Sequence, residues 1–560
     1  MIMWQLYVFP SLFLLLLLAP APWLGRYIYR VFEGQVHWLA MPERLTLAAC
    51  GTDGREQDWK SYTFSLLAFN LAGFTLLFII LIAQGVLPLN PEQLPGMSWQ
   101  TAFNTAVSFM TNTNWQAYSG ESALSYFSQM MGLTTQNFVS AATGACVAVV
   151  LFRGIARQQT THLGNFWVDL VRFCLYVLLP LALILALILV WQGVPQTLLA
   201  YLPFTGVTGQ EQVLPLGPAA SQIAIKQLGS NGGGFFGINS AHPLENPTAL
   251  SNWFEMVALL SVAVAMVFTL GDYTKNKAHS RALVITMGLL LVVGLLTVLY
   301  QETAADPTLH GLTAQLGNWE GKESRFGPIL SSIWATATTA ASNGSVNAMH
   351  DSFTPLGGMV AMFNMLLGEV IFGGIGAGIY GMLLFVLLTV FLCGLMVGRT
   401  PSYLGKRLGI REMKWVVASM LVMPVGVLVL GGITLLLPSS AAVIGHDGPH
   451  GLSRLMYAYA SAAGNNGSAF AGFGAADNWQ CIAIGLAMLL GRFGYIVPVM
   501  VIAGQLARAP QIDAGNSDFP LSGPLFITLL IMTILLIGGL SFLPVLALGP
   551  VAEHLMLGAF

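Results

Sequence analysis

Residues 221–236 read SQIAIKQLGSNGGGFF, a short apolar segment that runs straight into a cluster of Gly, Ser and Asn. The same change of character occurs three more times. FNTAVSFM runs into TNTNWQ at 103–116, SSIWATATTAA into SNGSVN at 331–347, and SRLMYAYASAA into GNNGSAFAG at 453–472. Each apolar segment is far shorter than the roughly 20 residues that a helix needs to cross a hydrocarbon core. Each fits a helix that enters a membrane part-way and returns as an extended loop. Such backbone is tolerated at membrane depth only where protein buries it or water lines it. Four of them in one chain point to a pseudo-fourfold axis.

The rest of the sequence supplies the membrane context. Of 560 residues, 8% are charged and 55% apolar, and mean hydropathy is +0.72. Soluble globular chains carry about 25% charged residues, so this composition excludes a soluble enzyme, a nucleic-acid binder and a disordered chain. The apolar runs are continuous, not alternating, which excludes a β-barrel. Ten spans are predicted near 6–24, 63–84, 137–153, 169–192, 249–270, 282–300, 368–397, 415–437, 481–505 and 524–547. Ala19-Pro20-Ala21 resembles a signal cleavage site. With no Lys or Arg before the run and Pro22 after it, the first span is read as a retained helix. Five scattered cysteines without a CxxC pair do not suggest a disulfide framework.

Ten spans place both termini on one side. Loops on one face hold 16 Lys and Arg, with Arg153 at a span end included, against four on the other: Lys226, Lys322, Arg325 and Arg454. The positive-inside rule puts the termini outside. The outer face is net acidic, which can raise the local cation concentration or merely solvate its loops. The expected fold is an all-α polytopic membrane protein. It has an extra helix and inner loop at 1–62, span–pore loop–span repeats at 63–153, 169–270, 282–397 and 415–505, and an extra helix at 524–560.

The chemistry of such loops lies in the backbone. Glycine adopts positive φ freely, so neighbouring carbonyls can face the same way. Four loops then form rings of oxygens that replace a cation's hydration shell. The short helices would aim their partial negative ends at the same point. None of the four clusters contains Asp or Glu, which suits K⁺ better than a divalent ion with its carboxylate ligands. From the residues alone, a stand-alone K⁺ channel or cation symporter and a non-transporting membrane scaffold remain open.

Several longer motifs narrow the choice. NTAVSFMTNTNWQAYSGE (104–121), LGSNGGGFFGINSAHPLENPTAL (228–250), GKESRFG (321–327), AMHDSFTPLGGM (348–359), GRTPSYLGK (398–406) and NNGSAFAG (465–472) are present. Together they resemble the potassium-binding subunit family (KdpA) of the Kdp potassium-transporting ATPase, over about residues 5–553. The resemblance implies K⁺ binding from the periplasm in a channel-like filter and a bacterial inner-membrane location. The implied partners are a P-type ATPase catalytic subunit (KdpB), a single-span accessory subunit (KdpC) and a small membrane peptide (KdpF), with K⁺ passed to KdpB through an internal tunnel. K⁺ is then the bound substrate, held at the filter only, and no organic cofactor is implied. The filter maps onto Asn112, Thr113, Asn114 and Gln116; Ser230, Asn231, Gly232 and Gly233; Ser342, Asn343 and Gly344; and Asn465, Asn466 and Gly467. Gln116 is a family position associated with ion affinity. The third loop often has Cys where this chain has Asn343. The first loop lacks a central glycine, so Asn114 is expected to take the unusual backbone geometry, which Asn tolerates better than most residues.

Arg492 lies inside an apolar run, and an intramembrane charge is a functional candidate by default. It is either an electrostatic barrier below the pore or a structural group that caps carbonyls or pairs with Glu369 or Glu255. Glu369 opens GEVIFGGIGAGIYG (368–381), whose six glycines suit either a broken helix gating at Gly373 and Gly374 or close helix packing. His446 and His450 sit in a loop context that does not suggest a metal site, and GNWEGKES (317–324) lacks phosphate-loop spacing. The P-type phosphorylation motif DKTGT is absent from the sequence. No catalytic residue is expected, and ATP would be hydrolysed by another chain.

Overall fold

The structure is a computed structural model that describes residues 4–304, 317–511 and 519–557. Asp306 among the outer acids, and Asp513 and Asp518 among the inner ones, lie outside the described residues. Ten helices among those described are long and apolar enough to span a membrane. They are Gln5–Phe32, Trp59–Val86, Ser128–Ala156, Phe166–Trp191, Ala249–Thr274, Lys277–Thr303, Ala377–Met396, Ile410–Leu435, Asn478–Arg508 and Pro524–Leu557. Each overlaps one of the ten expected spans.

Several boundaries differ, also at the start of the third span and the end of the tenth, and two of them have a clear physical reason. The first span is two helices, Gln5–Leu18 and Ala21–Phe32, that meet at Ala19-Pro20; a proline cannot donate to the preceding turn. The seventh span does not begin at 368. Helix Pro355–Leu366 comes first, the chain leaves helical geometry through Gly368, Glu369, Phe372 and Gly376 at positive φ, and Ala377–Met396 follows. The apolar reading of this stretch counted its glycines as span, and those glycines are what break it.

Burial records the repeat. The third, fifth, seventh and ninth spans have 61–89% of their most apolar window buried, against 28–44% for the other six. The second helix of each pair therefore packs at the centre while the first faces outward. Between the members of each pair lies a short helix: Trp99–Met110, Ala219–Leu228, Gly327–Ala340 and Gly448–Ala463. These four are buried over most of their length. Ser98 accepts from Thr101 N to cap the first, and proline stands in the opening turn of the third and fourth, where a missing N–H costs nothing.

Buried charges brace the bundle at its two faces. At one face Arg153 forks onto Asp169 (Nη1–Oδ2 2.6 Å, Nη2–Oδ1 3.0 Å), and Tyr62 donates to the same carboxylate at 2.9 Å. Arg172 pairs with Glu43 at 2.8 Å. Lys406, on the hairpin Ser402–Tyr403/Lys406–Arg407, donates to the carbonyls of Gly154, Arg157 and Leu506. Its ammonium thus caps the C-terminal ends of the third and ninth spans, where a cation complements the helix dipoles.

At the other face Lys322 meets Glu302 at 2.7 Å with both side chains fully buried. Asp351 and Glu553 hold opposite nitrogens of His450 at 3.0 and 2.9 Å, and Arg454 joins Asp351 at 2.8 Å. This tether ties the C-terminal helix to the fourth short helix. Hydrogen bonds donated to the carboxylates of Asp351 and Glu553 push the His450 pKa from the ordinary 6.5 up to about 9. Its contribution to stability is therefore whole below about pH 6.5 and is lost as pH rises through about 9. The unfolding midpoint is expected to fall between about pH 8 and about pH 10, and His450→Gln to flatten that fall. An unchanged pH slope in the variant would remove His450 from the tether.

Candidate functional site

All four short helices end in the same way. The N–H of Thr113, Asn231, Asn343 and Asn466 donates back five residues to the carbonyl of Ser108, Lys226, Thr338 and Ser461, at 2.9, 2.9, 3.0 and 2.8 Å. The residue before each of these, Asn112, Ser230, Ser342 and Asn465, has φ of 65°, 48°, 45° and 49°. This is a Schellman-type ending, with the left-handed position filled by Asn or Ser in place of the usual Gly. A second left-handed residue follows in each loop: Asn114 (56°), Gly233 (79°), Gly344 (87°) and Gly467 (102°). Asn114 takes the geometry expected of it from the sequence. Gly232 differs, since the positive φ falls on Gly233 beside it.

The loops close into a ring, which their glycines report by what a Cβ would strike. At Gly467 it would overlap the Thr113 carbonyl, and at Gly344 the Asn466 carbonyl. At Gly232 it would lie 2.5 Å from Asn343 O and 3.1 Å from Asn466 O, and at Gly233 3.0 Å from Asn114 O. Loop one therefore meets loop four, four meets three, three meets two and two meets one. Backbone carbonyls occupy every seam.

A belt of amides behind the ring holds each loop to a neighbour. Asn231 Nδ2 donates to Asn112 Oδ1 (2.5 Å), Asn112 Nδ2 to Ser230 O (2.9 Å), Asn343 Nδ2 to Lys226 O (3.4 Å), Asn466 Nδ2 to Thr338 O (3.0 Å) and Asn465 Nδ2 to Thr113 Oγ1 (2.9 Å). Gln116 bridges loops one and two. Its Nε2 donates to Gly234 O at 3.0 Å, and its Oε1 accepts from Gly234 N at 2.7 Å.

Beneath the ring lie the residues singled out for gating. Arg492 is buried and donates from Nη2 to Ser140 O at 3.0 Å. Ser140 Oγ in turn donates to Asn112 Oδ1 at 2.8 Å, so the guanidinium stands one residue removed from the first loop. Among the described residues Arg492 makes no ion pair with Glu369 or Glu255. Glu255 instead accepts from Gln227 at 2.8 Å. Of the two structural roles open from the sequence, the carbonyl cap is the one seen. Glu369 sits in the break before Ala377, and a Cβ on Gly374 would lie 3.2 Å from its Oε2 and 3.6 Å from Ala341 O. The break therefore underlies the third loop. Cβ atoms at Gly373 and Gly376 would overlap the carbonyls of Glu369 and Gly144, so the stretch is both broken and closely packed. A small cavity beside it is lined by Gly368, Glu369, Met423, Asn465 and Tyr495.

A model of the family described as potassium-transporting ATPase A subunit matches residues 11–555. The chain belongs to this family. Curated relatives described as potassium-transporting ATPase potassium-binding subunit agree over full length. That of Pseudomonas aeruginosa is 61% identical over 98% of both chains. That of Rhodospirillum centenum is 57% identical over 98% of this chain and 97% of the relative. That of Yersinia pseudotuberculosis is 54% identical over 95% of both. As a member of the A-subunit family, the chain is a multi-pass membrane protein and a non-hydrolysing subunit of a potassium-transporting ATPase.

The structure adds residues that the motifs did not single out. Ser140 joins Arg492 to loop one, Asn137 accepts from Asn114 Nδ2 at 2.5 Å, and Gln227 accepts from Ser345 Oγ at 3.1 Å. Polar residues inside an apolar span were the available signal. The outer acids need correction too, because Glu245 and Glu302 are buried against Lys226 and Lys322 and add nothing to an outer field. The left-handed requirement at position 114 can be isolated, since Asn114→Gly and Asn114→Ala both lose the Asn137 bond. Ala is expected to be less stable than Gly by about 1 kcal/mol, measured as the difference in unfolding midpoint. Equal midpoints would show that Asn114 carries no backbone strain.

Proposed function

We propose that this chain binds K⁺ from the outer face of a bacterial inner membrane, within the ring of loops, and hands it to a partner P-type ATPase subunit that supplies the energy for uptake. The closed ring of neutral backbone carbonyls is the observation that carries the reading. Dehydrating K⁺ requires oxygens at every seam, and a ring without carboxylates compensates a single charge. The ligand set is Thr113 and Asn114, Asn231, Gly232 and Gly233, Asn343 and Gly344, and Asn466 and Gly467. Asn112, Ser230, Ser342, Asn465 and Gln116 hold those carbonyls in place. The four units at 63–153, 169–270, 282–397 and 415–505 act as pseudo-subunits of one pore, flanked by the helices within 1–62 and 524–560. Both termini lie on the periplasmic side. The catalytic KdpB, the single-span KdpC and the small peptide KdpF complete the assembly. A stand-alone channel or a scaffold is not favoured for a member of a family of ATPase subunits.

Arg492 and the Glu369–Gly376 break close the path directly below the ring. A fixed guanidinium there opposes the free descent of a cation. The small cavity lined by Glu369, Met423, Asn465 and Tyr495 lies beside this break, where an ion leaving the ring toward the ATPase would first find room. Gly373 and Gly374 let the break pack against Glu369, so both are expected to resist replacement by Leu.

ATP hydrolysis that co-purifies with the chain in mild detergent is expected to be stimulated by K⁺ and not by Na⁺. Gly232→Asp places a carboxylate in the ring and is expected to raise the half-saturating K⁺ concentration about tenfold or more, a loss of about 1.4 kcal/mol of binding. An unchanged value would reject the ring as the K⁺ site. Arg492→Ala is expected to open a K⁺ leak in reconstituted vesicles without ATP; no leak would assign Arg492 a purely structural role.

A further inference from the structure

Gln227 stands next to the end of the second short helix and touches two things at once. Its Oε1 accepts from Ser345 Oγ of the third loop at 3.1 Å, and its Nε2 donates to Glu255 Oε2 at 2.8 Å and Ser240 Oγ at 3.2 Å. Gln227, Glu255 and Ser345 are all fully buried. The residues that stand four before the corresponding loop position in the other helices are Phe109, Thr339 and Ala462. None of these can make the same bridge, so the seam between loops two and three is built differently from the rest.

An amide is ambiguous, since a half-turn exchanges its donor and acceptor ends. Here Glu255 Oε2 accepts from the Gln227 NH₂, which leaves the amide oxygen facing Ser345. Ser345 is thereby held as a donor. Its N–H donates to Asn343 Oδ1 at 2.9 Å, and its carbonyl accepts from Trp334 Nε1 at 2.8 Å. With its side-chain oxygen so engaged, Asn343 turns its Nδ2 toward Lys226 O, and its own carbonyl stands against Gly232. The fourth loop achieves the equivalent with a tyrosine of its own helix. Ser468 Oγ meets Tyr457 Oη of its own helix at 2.9 Å, and His350 Nδ1 backs the tyrosine at 2.8 Å.

Glu255 is expensive for a simple packing group. Its Oε1 is buried without a hydrogen-bond partner among the described residues, and an unsatisfied buried oxygen is unfavourable. Its use is directional. We propose that Glu255 is a positioning residue for ion selection: by fixing the orientation of the Gln227 amide it sets the third loop's carbonyl at the seam with the second. This rests on the ring being the K⁺ site.

The test uses the purified full ATPase assembly and reads K⁺-stimulated ATP hydrolysis, with Rb⁺ in place of K⁺ as the selectivity probe. Glu255→Leu frees the amide to turn. It is expected to raise the half-saturating K⁺ concentration about fivefold, the worth of one hydrogen bond, and to narrow the K⁺/Rb⁺ ratio, while maximal rate stays within about twofold. Glu255→Gln, which can still present an oxygen to Gln227, is expected to recover most of the K⁺ affinity. A Leu variant with wild-type half-saturation and selectivity overturns the proposal, as does a lowered maximal rate with unchanged half-saturation. Equal shifts in the Gln and Leu variants also overturn it, because the charge and not the orientation would then matter. If Glu255→Leu does not assemble, Ser345→Ala removes the receiving hydroxyl and is expected to shift half-saturation the same way; no shift overturns the proposal. Gly232→Asp, run alongside, separates the two readings. If it leaves half-saturation unchanged, the ring assignment fails and this inference falls with it. If Gly232→Asp shifts it and Glu255→Leu does not, only the role of Glu255 fails.

Discussion

A helix that stops inside a membrane leaves its last carbonyls without partners, and in a dry interior each would cost several kcal/mol. This chain has four such ends, at Met110, Leu228, Ala340 and Ala463. The five-residue back-bonds to Ser108, Lys226, Thr338 and Ser461 satisfy one carbonyl at each end. They also force a left-handed residue immediately afterwards. That reversal carries the chain outward through the ring, where the remaining carbonyls gather at the seams. In the proposed K⁺ site, the feature that would otherwise destabilise the fold becomes the functional surface, with the oxygens that lack a donor turned to the cation.

Once the ring is built from neutral oxygens, formal charge has to be kept off it. The buried charges that do occur are displaced to the flanks and paired. Lys226 reaches Glu245 at 2.6 Å while its carbonyls remain in the second helix end, and Lys322 meets Glu302 at 2.7 Å beside the third unit. Such pairs add little net stability, yet breaking one leaves an uncompensated buried charge at a cost of about 3–5 kcal/mol. They act as fasteners between repeats. Arg492, Lys406 and Glu255 are exceptions: the two cations are held by carbonyls and Glu255 by the Gln227 amide.

The ten spans were legible because uncharged apolar runs of that length have few other uses, and the four loops because Gly, Asn and Ser interrupt apolar segments in equivalent places. Asn114 could be singled out as a left-handed residue by comparing its loop with the others. What could not be read were contacts between distant repeats. Asn231 lies 119 residues from Asn112, Ser345 118 from Gln227, and Arg492 352 from Ser140. No local pattern encodes them. The start of the seventh span was missed for the opposite reason. Gly-rich sequence scores as apolar, while its backbone freedom is what ends the helix.

Four repeats in one chain need not be identical, and the seams show how far they have diverged. Loop four is steadied by a tyrosine of its own helix, loop three by an amide and a carboxylate from the neighbouring unit, and loops one and two share the reciprocal Gln116–Gly234 pair. Loop two also shifts its second left-handed residue by one position, to Gly233. A homotetramer would have to change all four seams together. A single chain can tune each seam separately while the oxygens presented to the ion stay chemically alike. Discrimination can then reside in how rigidly each carbonyl is held rather than in which atoms line the pore, and that rigidity is set by side chains that never touch the ion.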